Sequence, residues 1–145
     1  MATITDWVVV DDAAIPAEGL NKVYVAKARI DFSLVNSGAS DTVQCLAIPA
    51  GTLVLDCGTK LIKAEGSALT ATLGDGSGAS SWDASINLNT TVGTRTQGLV
   101  GTDAYAASTA RGKVYTTADT IDLVMSAAAA DTAIIDVFAI CVDLN

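Results

Sequence analysis

The feature that most constrains this chain is a series of short apolar runs between residues 41 and 76, each bounded by turn-forming residues. The runs cover residues 43–48, 53–57 and 69–73, and Pro, Gly and Ser residues lie between them. Such runs are typical of strands joined by tight turns. No segment has a sustained apolar period of 3.6 residues, so the sequence predicts an all-β fold.

Residues 23–34 show the clearest two-residue alternation. Such alternation predicts an antiparallel strand with one buried face and one solvated face. The predicted buried face carries Tyr24, Ala26, Ala28, Ile30, Phe32 and Leu34, and the solvated face carries Lys27, Arg29 and Asp31.

Further strands are predicted at residues 53–65, 69–73, 82–89, 97–100, 114–117, 120–126 and 132–144, with a polar loop at residues 74–81. Within residues 53–65 the apolar positions change from odd to even numbers. We therefore expect a bulge near residues 58–61 that carries the strand from one sheet to the other. Together these strands predict an antiparallel β-sandwich, jelly-roll-like, with an extended N-terminal segment.

A length of 145 residues predicts one domain. Residues 1–20 are predicted to form an N-terminal arm or edge strand, and residues 21–145 a single β-sandwich domain. Half of the residues are hydrophobic but only 5% are aromatic, so each buried side chain contributes a modest apolar area. A partner subunit is therefore an expected source of additional stability.

The net charge of −8 argues against nucleic-acid binding. The eight basic residues are scattered along the sequence, without a basic cluster. The N-terminus lacks the pattern of a signal peptide, which predicts synthesis in the cytoplasm. The apolar residues 127–142 include Asp131 and Asp136, so they are interpreted as a buried strand and not as a membrane span.

The sequence offers no catalytic constellation. It contains no histidine, which excludes Ser-His-Asp triads and the usual zinc sites. The Gly-rich residues 74–79 resemble a dinucleotide fingerprint, but a strand and not a helix is predicted to follow. The same loop lacks the acidic positions of a calcium loop. No catalytic residue, cofactor or metal is predicted, and the chain is predicted not to be an enzyme.

Three isolated cysteines, Cys45, Cys57 and Cys141, lie within apolar runs. The pattern favours small buried hydrophobic residues in a reducing compartment. A Cys45–Cys57 bridge remains an alternative if their strands pair.

Trp7, Val8, Val9 and Val10 form an apolar tetrad followed by two acidic residues. This pattern fits either an edge strand of the core or an arm that docks on a partner. In both cases these four residues are candidate contact residues.

The order of turns and strands in residues 31–76 (DFSLVNSGASDTVQCLAIPAGTLVLDCGTKLIKAEGSALTATLGDG), 80–94 (SSWDASINLNTTVGT) and 134–145 (IIDVFAICVDLN) resembles small virion proteins of tailed bacteriophages. The members of that group act as capsid decoration (cement) proteins or related head proteins. The resemblance implies a jelly-roll-like sandwich that assembles on the major capsid protein, commonly as a homotrimer at local threefold points of the capsid exterior.

Two rival functions remain open. One is another virion component, from the tail, fibre base or baseplate, with receptor or glycan binding through residues 74–81 and 90–113. The other is a small β-fold enzyme or lectin, which the missing histidines and few aromatic residues disfavour.

Overall fold

The computed structural model describes residues 3–4, 22–97, 112–126 and 128–145. Every regular element in these residues is a strand. The strands are β1 (Thr3–Ile4), β2 (Val23–Asp31), β3 (Thr42–Ile48), β4 (Thr52–Lys63), β5 (Thr70–Asp75), β6 (Gly78–Asn87), β7 (Arg95–Gln97), β8 (Lys113–Tyr115), β9 (Asp119–Met125) and β10 (Ile134–Asp143).

The strands form two sheets. Sheet A has the order β1-β3-β9-β5-β6, and sheet B has the order β2-β10-β4-β7, with β8 pairing β4 beside β7. Neighbouring strands are antiparallel except β1 and β3, which are parallel. The chain crosses between the sheets at β2–β3, β3–β4, β4–β5, β6–β7, β8–β9 and β9–β10, which is jelly-roll connectivity. The predicted jelly-roll-like β-sandwich is confirmed.

The core lies between the sheets and consists of inward-facing aliphatic side chains. Leu73, Ile121 and Leu123 of sheet A, with Ile135 and Val137 of sheet B, are completely buried. Each large aliphatic side chain buried in this way contributes about 1.5–3 kcal/mol. The C-terminal strand β10 lies in the interior of sheet B, between β2 and β4, as its apolar sequence predicts.

Strand β2 follows the predicted alternation up to Asp31 and then ends. Ala26, Ala28 and Ile30 face the core. The prediction for Leu34 is wrong, because this side chain is 58% exposed. The Asp31 carboxylate accepts a hydrogen bond from the backbone N–H of Ser33, which turns the chain before Leu34.

Strand β4 stays in sheet B throughout, so the predicted change of sheet is wrong. Its pairing with β10 has two bulges, at Leu55 and at Ile62, each of which has no partner on β10. The two bulges lie on either side of residues 58–61, where one bulge was predicted. Each extra residue reverses the side-chain phase within one sheet. As a result Val54 is buried, while Leu53 and Leu55 lie on the outer face.

The predicted loop at residues 74–81 is a tight hairpin, with β5 extending to Asp75 and β6 beginning at Gly78. A Cβ atom at Gly74 would overlap the Gly78 carbonyl oxygen and the Ala79 backbone. Only glycine permits this close approach. Strand β7 covers residues 95–97 and overlaps the predicted strand at residues 97–100 only at Gln97. Residues 98–111 lie outside the described part of the chain.

Candidate functional surface and buried polar network

The predicted contact residues Trp7, Val8, Val9 and Val10 lie outside the described residues. The two-residue strand β1 precedes them. Thr3 pairs with Thr42 and Ile4 with Val43, so the N-terminal segment begins at the β3 edge of sheet A.

Asp75, at the end of β5, is the centre of a polar network that joins the two sheets. Its Oδ2 accepts a hydrogen bond from Lys113 Nζ at 2.7 Å and another from the Tyr115 hydroxyl at 2.7 Å. Both donors lie on β8, beside β4 of sheet B. Its Oδ1 accepts from the backbone N–H groups of Ser77 and Gly78. The buried carboxylate is therefore fully paired.

The network continues to the largest core side chain. Trp82 Nε1 donates to the Tyr115 hydroxyl oxygen at 3.3 Å, and Lys113 Nζ lies 4.6 Å from the centre of the Tyr115 ring. Burial by itself would raise the pKa of Asp75, but the hydrogen bonds from Lys113 and Tyr115 outweigh it and hold the pKa below its usual value. The arrangement stabilises a carboxylate, so it links the sheets and provides no general acid.

Asp136 makes a second ion-pair cluster, on the outer face of sheet B. Arg29 binds its carboxylate with two hydrogen bonds of 2.7 and 3.0 Å, and Lys27 Nζ lies 3.2 Å from Oδ2. Burial raises the pKa of Asp136, and the two cations lower it below its usual value overall. The cluster joins β2 to β10 across the sheet.

Glu65 fastens the loop before β10. Its carboxylate accepts hydrogen bonds from the backbone N–H groups of Asp131, Thr132 and Ala133, at 2.9, 3.2 and 2.7 Å. These contacts fix the entry of the chain into β10.

Asp122 is the one residue, among those described, with a buried side-chain oxygen that lacks a hydrogen-bond partner. It lies on β9 beside Gly74 of β5, against which the start of β6 packs. Burial raises its pKa to about 6, and the nearby charges of Asp119 and Asp75 add to the shift. Asp122 is therefore a destabilising charge at neutral pH.

The three cysteines are free and buried, as predicted from their apolar surroundings. Cys45 lies on sheet A and Cys57 on sheet B, so their strands do not pair. Burial raises the pKa of the Cys141 thiol to about 11, and it also raises the pKa values of the other two thiols. All three are protonated and unreactive at neutral pH.

The outer faces of the two sheets differ in chemistry. The described strands of sheet A carry no Lys or Arg, whereas those of sheet B carry six of the eight basic residues of the chain. At one end the outer face of sheet B is apolar. We call this region the apolar patch; it consists of Val23, Val25, Leu53, Leu55, Val114, Ile140 and Val142.

Within the described ranges, no three His, Cys, Asp or Glu side chains form a group that could hold a metal ion. A helix of the length and apolar character needed to cross a membrane is likewise not found there.

The fold belongs to the jelly-roll class of β-sandwiches, and solved structures of phage capsids contain chains that share it. This chain is similar to a chain from the capsid of Ralstonia phage GP4, with a TM-score of 0.65 and 12% sequence identity over 92% of both chains. It is also similar to a chain of the cyanophage Pam1 capsid asymmetric unit, with a TM-score of 0.58 and 16% identity over 92% of this chain and 94% of that one.

A third similar chain comes from the acidic stable capsid structure of Helicobacter pylori bacteriophage KHP30. Its TM-score is 0.53 and its identity 11%, over 87% of this chain and 92% of that one. No protein family and no curated protein matches the sequence. The likeness at these identities establishes the fold.

Sequence reasoning missed the network around Asp75 and the apolar patch. Asp75 and Lys113 are 38 residues apart, and no local pattern links them. Leu53 and Leu55 lie on the outer face because of the bulge at Leu55, which leaves no mark in the alternation of the sequence. The sequence contains one signal for the apolar patch: Val23 and Val25 are apolar, yet they lie on the same strand face as the predicted solvated residues Lys27 and Arg29.

Proposed function

We propose that this chain is a capsid decoration protein of a tailed bacteriophage, which assembles as a homotrimer on the exterior of the shell and contacts the major capsid protein. The observation that carries the proposal is the fold-wide likeness to chains from three phage capsids. Because the alignments cover 87% or more of this chain and 92% or more of each similar chain, those chains are close to this one in length. The likeness therefore extends over nearly all of this chain and of each similar chain.

The described side chains fit a structural role. The buried carboxylates of Asp75 and Asp136 are paired with cations across sheets and strands, and the three thiols are buried. A protein that binds only the assembled shell stabilises that shell by mass action. Three linked copies multiply a modest affinity for each site.

Electron microscopy of purified virions tests the location. We expect density for this sandwich on the outer shell at local threefold points. Density confined to the tail or baseplate would refute the decoration role and favour the rival virion role.

A binding assay tests the partner. Purified protein is mixed with shells that lack it, and the shells are then sedimented and heated. Saturable co-sedimentation and a higher temperature of shell disruption are the expected results. An unchanged disruption temperature with saturable binding would mean that the protein coats the shell without stabilising it.

A further inference from the structure

The outer face of sheet B has the character of an interface. Val23, Val25 and Val114 are 65%, 57% and 49% exposed, and Leu55 is 36% exposed. Cross-strand pairing places Val23 beside Val142 and Val25 beside Ile140, so these side chains form one continuous surface. Contiguous exposed apolar surface of this kind marks interaction sites.

A basic row crosses the same face next to the apolar patch. Arg29, Asp136, Lys60 and Arg95 are cross-strand neighbours on β2, β10, β4 and β7. Three cations and one carboxylate give this row a positive charge in a chain whose net charge is −8. A complementary partner therefore carries apolar side chains followed by acidic ones.

The N-terminal segment of this chain has that chemistry. Residues 1–20 contain four acidic residues and no Lys or Arg, and the tetrad Trp7 to Val10 leads directly into Asp11 and Asp12. We propose that residues 7–12 of a neighbouring copy of this chain dock on the outer face of sheet B, with Trp7 and Val9 on the apolar patch and Asp11 at the basic row. This proposal deepens the self-association within the proposed function and rests on it.

The spacing between apolar and charged positions is the same on sheet B and on residues 7–12. Ile140 on the patch and Asp136 in the basic row are four residues apart on β10. Val8 and Asp12 are also four residues apart, and so are Trp7 and Asp11. An extended segment rises by about 3.3 Å per residue, as β10 does. The face that carries Trp7, Val9 and Asp11 therefore presents apolar side chains to the patch and an acid to the row.

The reach of the chain favours a neighbouring copy over the same copy. Ile4 pairs with Val43 at the edge of sheet A. Trp7 is three residues further on, and three extended residues span at most about 11 Å. Packed sheets are about 10 Å apart, and the outer side chains of sheet B lie beyond its backbone. The reach from the paired Ile4 to residue 7 is therefore shorter than the path to the outer face of sheet B in the same copy. In this arrangement residues 7–12 of each copy bind sheet B of the next copy. Such a heterologous contact forms a closed ring when the rotation between copies closes, as in a trimer.

Full-length chains with single substitutions test the contact by light scattering over a range of concentrations. Val25→Glu puts a charge in the patch, and Trp7→Ala removes the anchor of the segment. We expect each to weaken self-association by roughly 30-fold or more, as loss of an interface hot spot does. Val92→Glu is the matched control, since Val92 is 58% exposed and outside the strands. Circular dichroism and thermal melts check that all variants fold.

Mixing the two defective variants distinguishes exchange between copies from contact within one copy. The Val25→Glu chain keeps an intact segment, and the Trp7→Ala chain keeps an intact face. Their mixture is expected to form heterodimers that neither variant forms alone. A monomeric wild-type chain at all concentrations, a Val25→Glu or Trp7→Ala chain that associates normally, or a mixture that stays monomeric would each overturn the proposal.

The shell-binding assay separates this inference from the proposed function. A Val25→Glu chain that still oligomerises and still binds shells refutes the docking surface and leaves the decoration role intact. Loss of oligomers as expected, with no wild-type protein found on shells, refutes the decoration role and leaves the docking surface intact.

Discussion

Replacing Asp122 with asparagine is expected to stabilise this protein at neutral pH. The Asp122 carboxylate is 6% exposed on β9, and its Oδ1 has no hydrogen-bond partner. Burial and the charges of Asp119 and Asp75 raise its pKa from 3.8 to about 6, against a favourable hydrogen bond with Thr120. Asp122→Asn keeps the shape of the side chain and removes the charge.

The size of the effect follows from the shift of the pKa. A rise from 3.8 to about 6 corresponds to about 3 kcal/mol of destabilisation when the group is fully charged. Solvent at the surface of sheet A screens part of this repulsion. We therefore expect Asp122→Asn to increase the free energy of unfolding by about 1–2 kcal/mol at pH 7.

The sign of the pH dependence is fixed by the raised pKa. Between pH 3.8 and about 6 the folded protein holds a proton on Asp122 that the unfolded chain releases. The penalty is complete at neutral pH, falls to roughly half at pH 5 and is small by pH 4. The advantage of Asp122→Asn over the wild type should shrink in the same way.

Urea unfolding at pH 7, 5 and 4 measures the difference in the free energy of unfolding between Asp122→Asn and the wild type. The two proteins can be compared in this way when their m-values are equal. Asp131→Asn is the control, because it removes one negative charge at an exposed position and should change stability by less than about 0.5 kcal/mol. The reasoning fails if Asp122→Asn is neutral at pH 7, or if its advantage is the same at pH 4 as at pH 7.

Three further predictions concern the other buried charges and the hairpin of sheet A. Lys113→Met leaves the Asp75 carboxylate buried without its ion-pair partner, so urea unfolding should show a loss of about 3–5 kcal/mol; a loss below about 1 kcal/mol would contradict the role of the network. Gly74→Ala forces the start of β6 away from β5 and should cost about 1–3 kcal/mol in the same measurement, whereas a wild-type melting temperature would show that the hairpin adjusts freely. Because the pKa values of Asp75 and Asp136 are lowered, the stability from their ion pairs is present above pH 3.8 and is lost as the pH falls further. Because the charge on Asp122 lowers stability as the pH rises from about 4 towards 7, thermal melts should show a maximum near pH 4–5. A continuous rise in stability down to pH 2.5 would be inconsistent with the ion pairs of Asp75 and Asp136.

Local sequence patterns were sufficient to find most strands. The alternation in residues 23–31 and the turn residues around Pro49 and Gly51 act within a few residues, and the structure has strands where they predict them. The patterns failed at Leu34, at Leu55 and at the hairpin after Gly74. At these three positions a side-chain hydrogen bond, an extra residue in a strand or a close backbone approach changes the path of the chain.

The buried network and the burial of Asp122 lay beyond such patterns. On β9, Asp122 alternates with Ile121 and Leu123, which predicts an outward and solvated carboxylate. It does point outward, but it is buried beside Gly74, against which the start of β6 packs. Burial of an outward-facing side chain depends on what packs over it, and that is a property of distant segments.

The sequence by itself determined the class of this protein: an acidic all-β domain without histidine, whose apolar residues alternate in short strands. Net charge and the absence of histidine follow from composition, and the alternation of apolar residues follows from the spacing of neighbouring residues. Only the tertiary structure decided which strands share a sheet, which charges pair, and which face of the sandwich is apolar and basic. Each of these depends on contacts between residues far apart in the chain, such as Asp75 with Lys113, Arg29 with Asp136 and Val25 with Ile140. Their free energy arises only when the jelly roll brings the strands together.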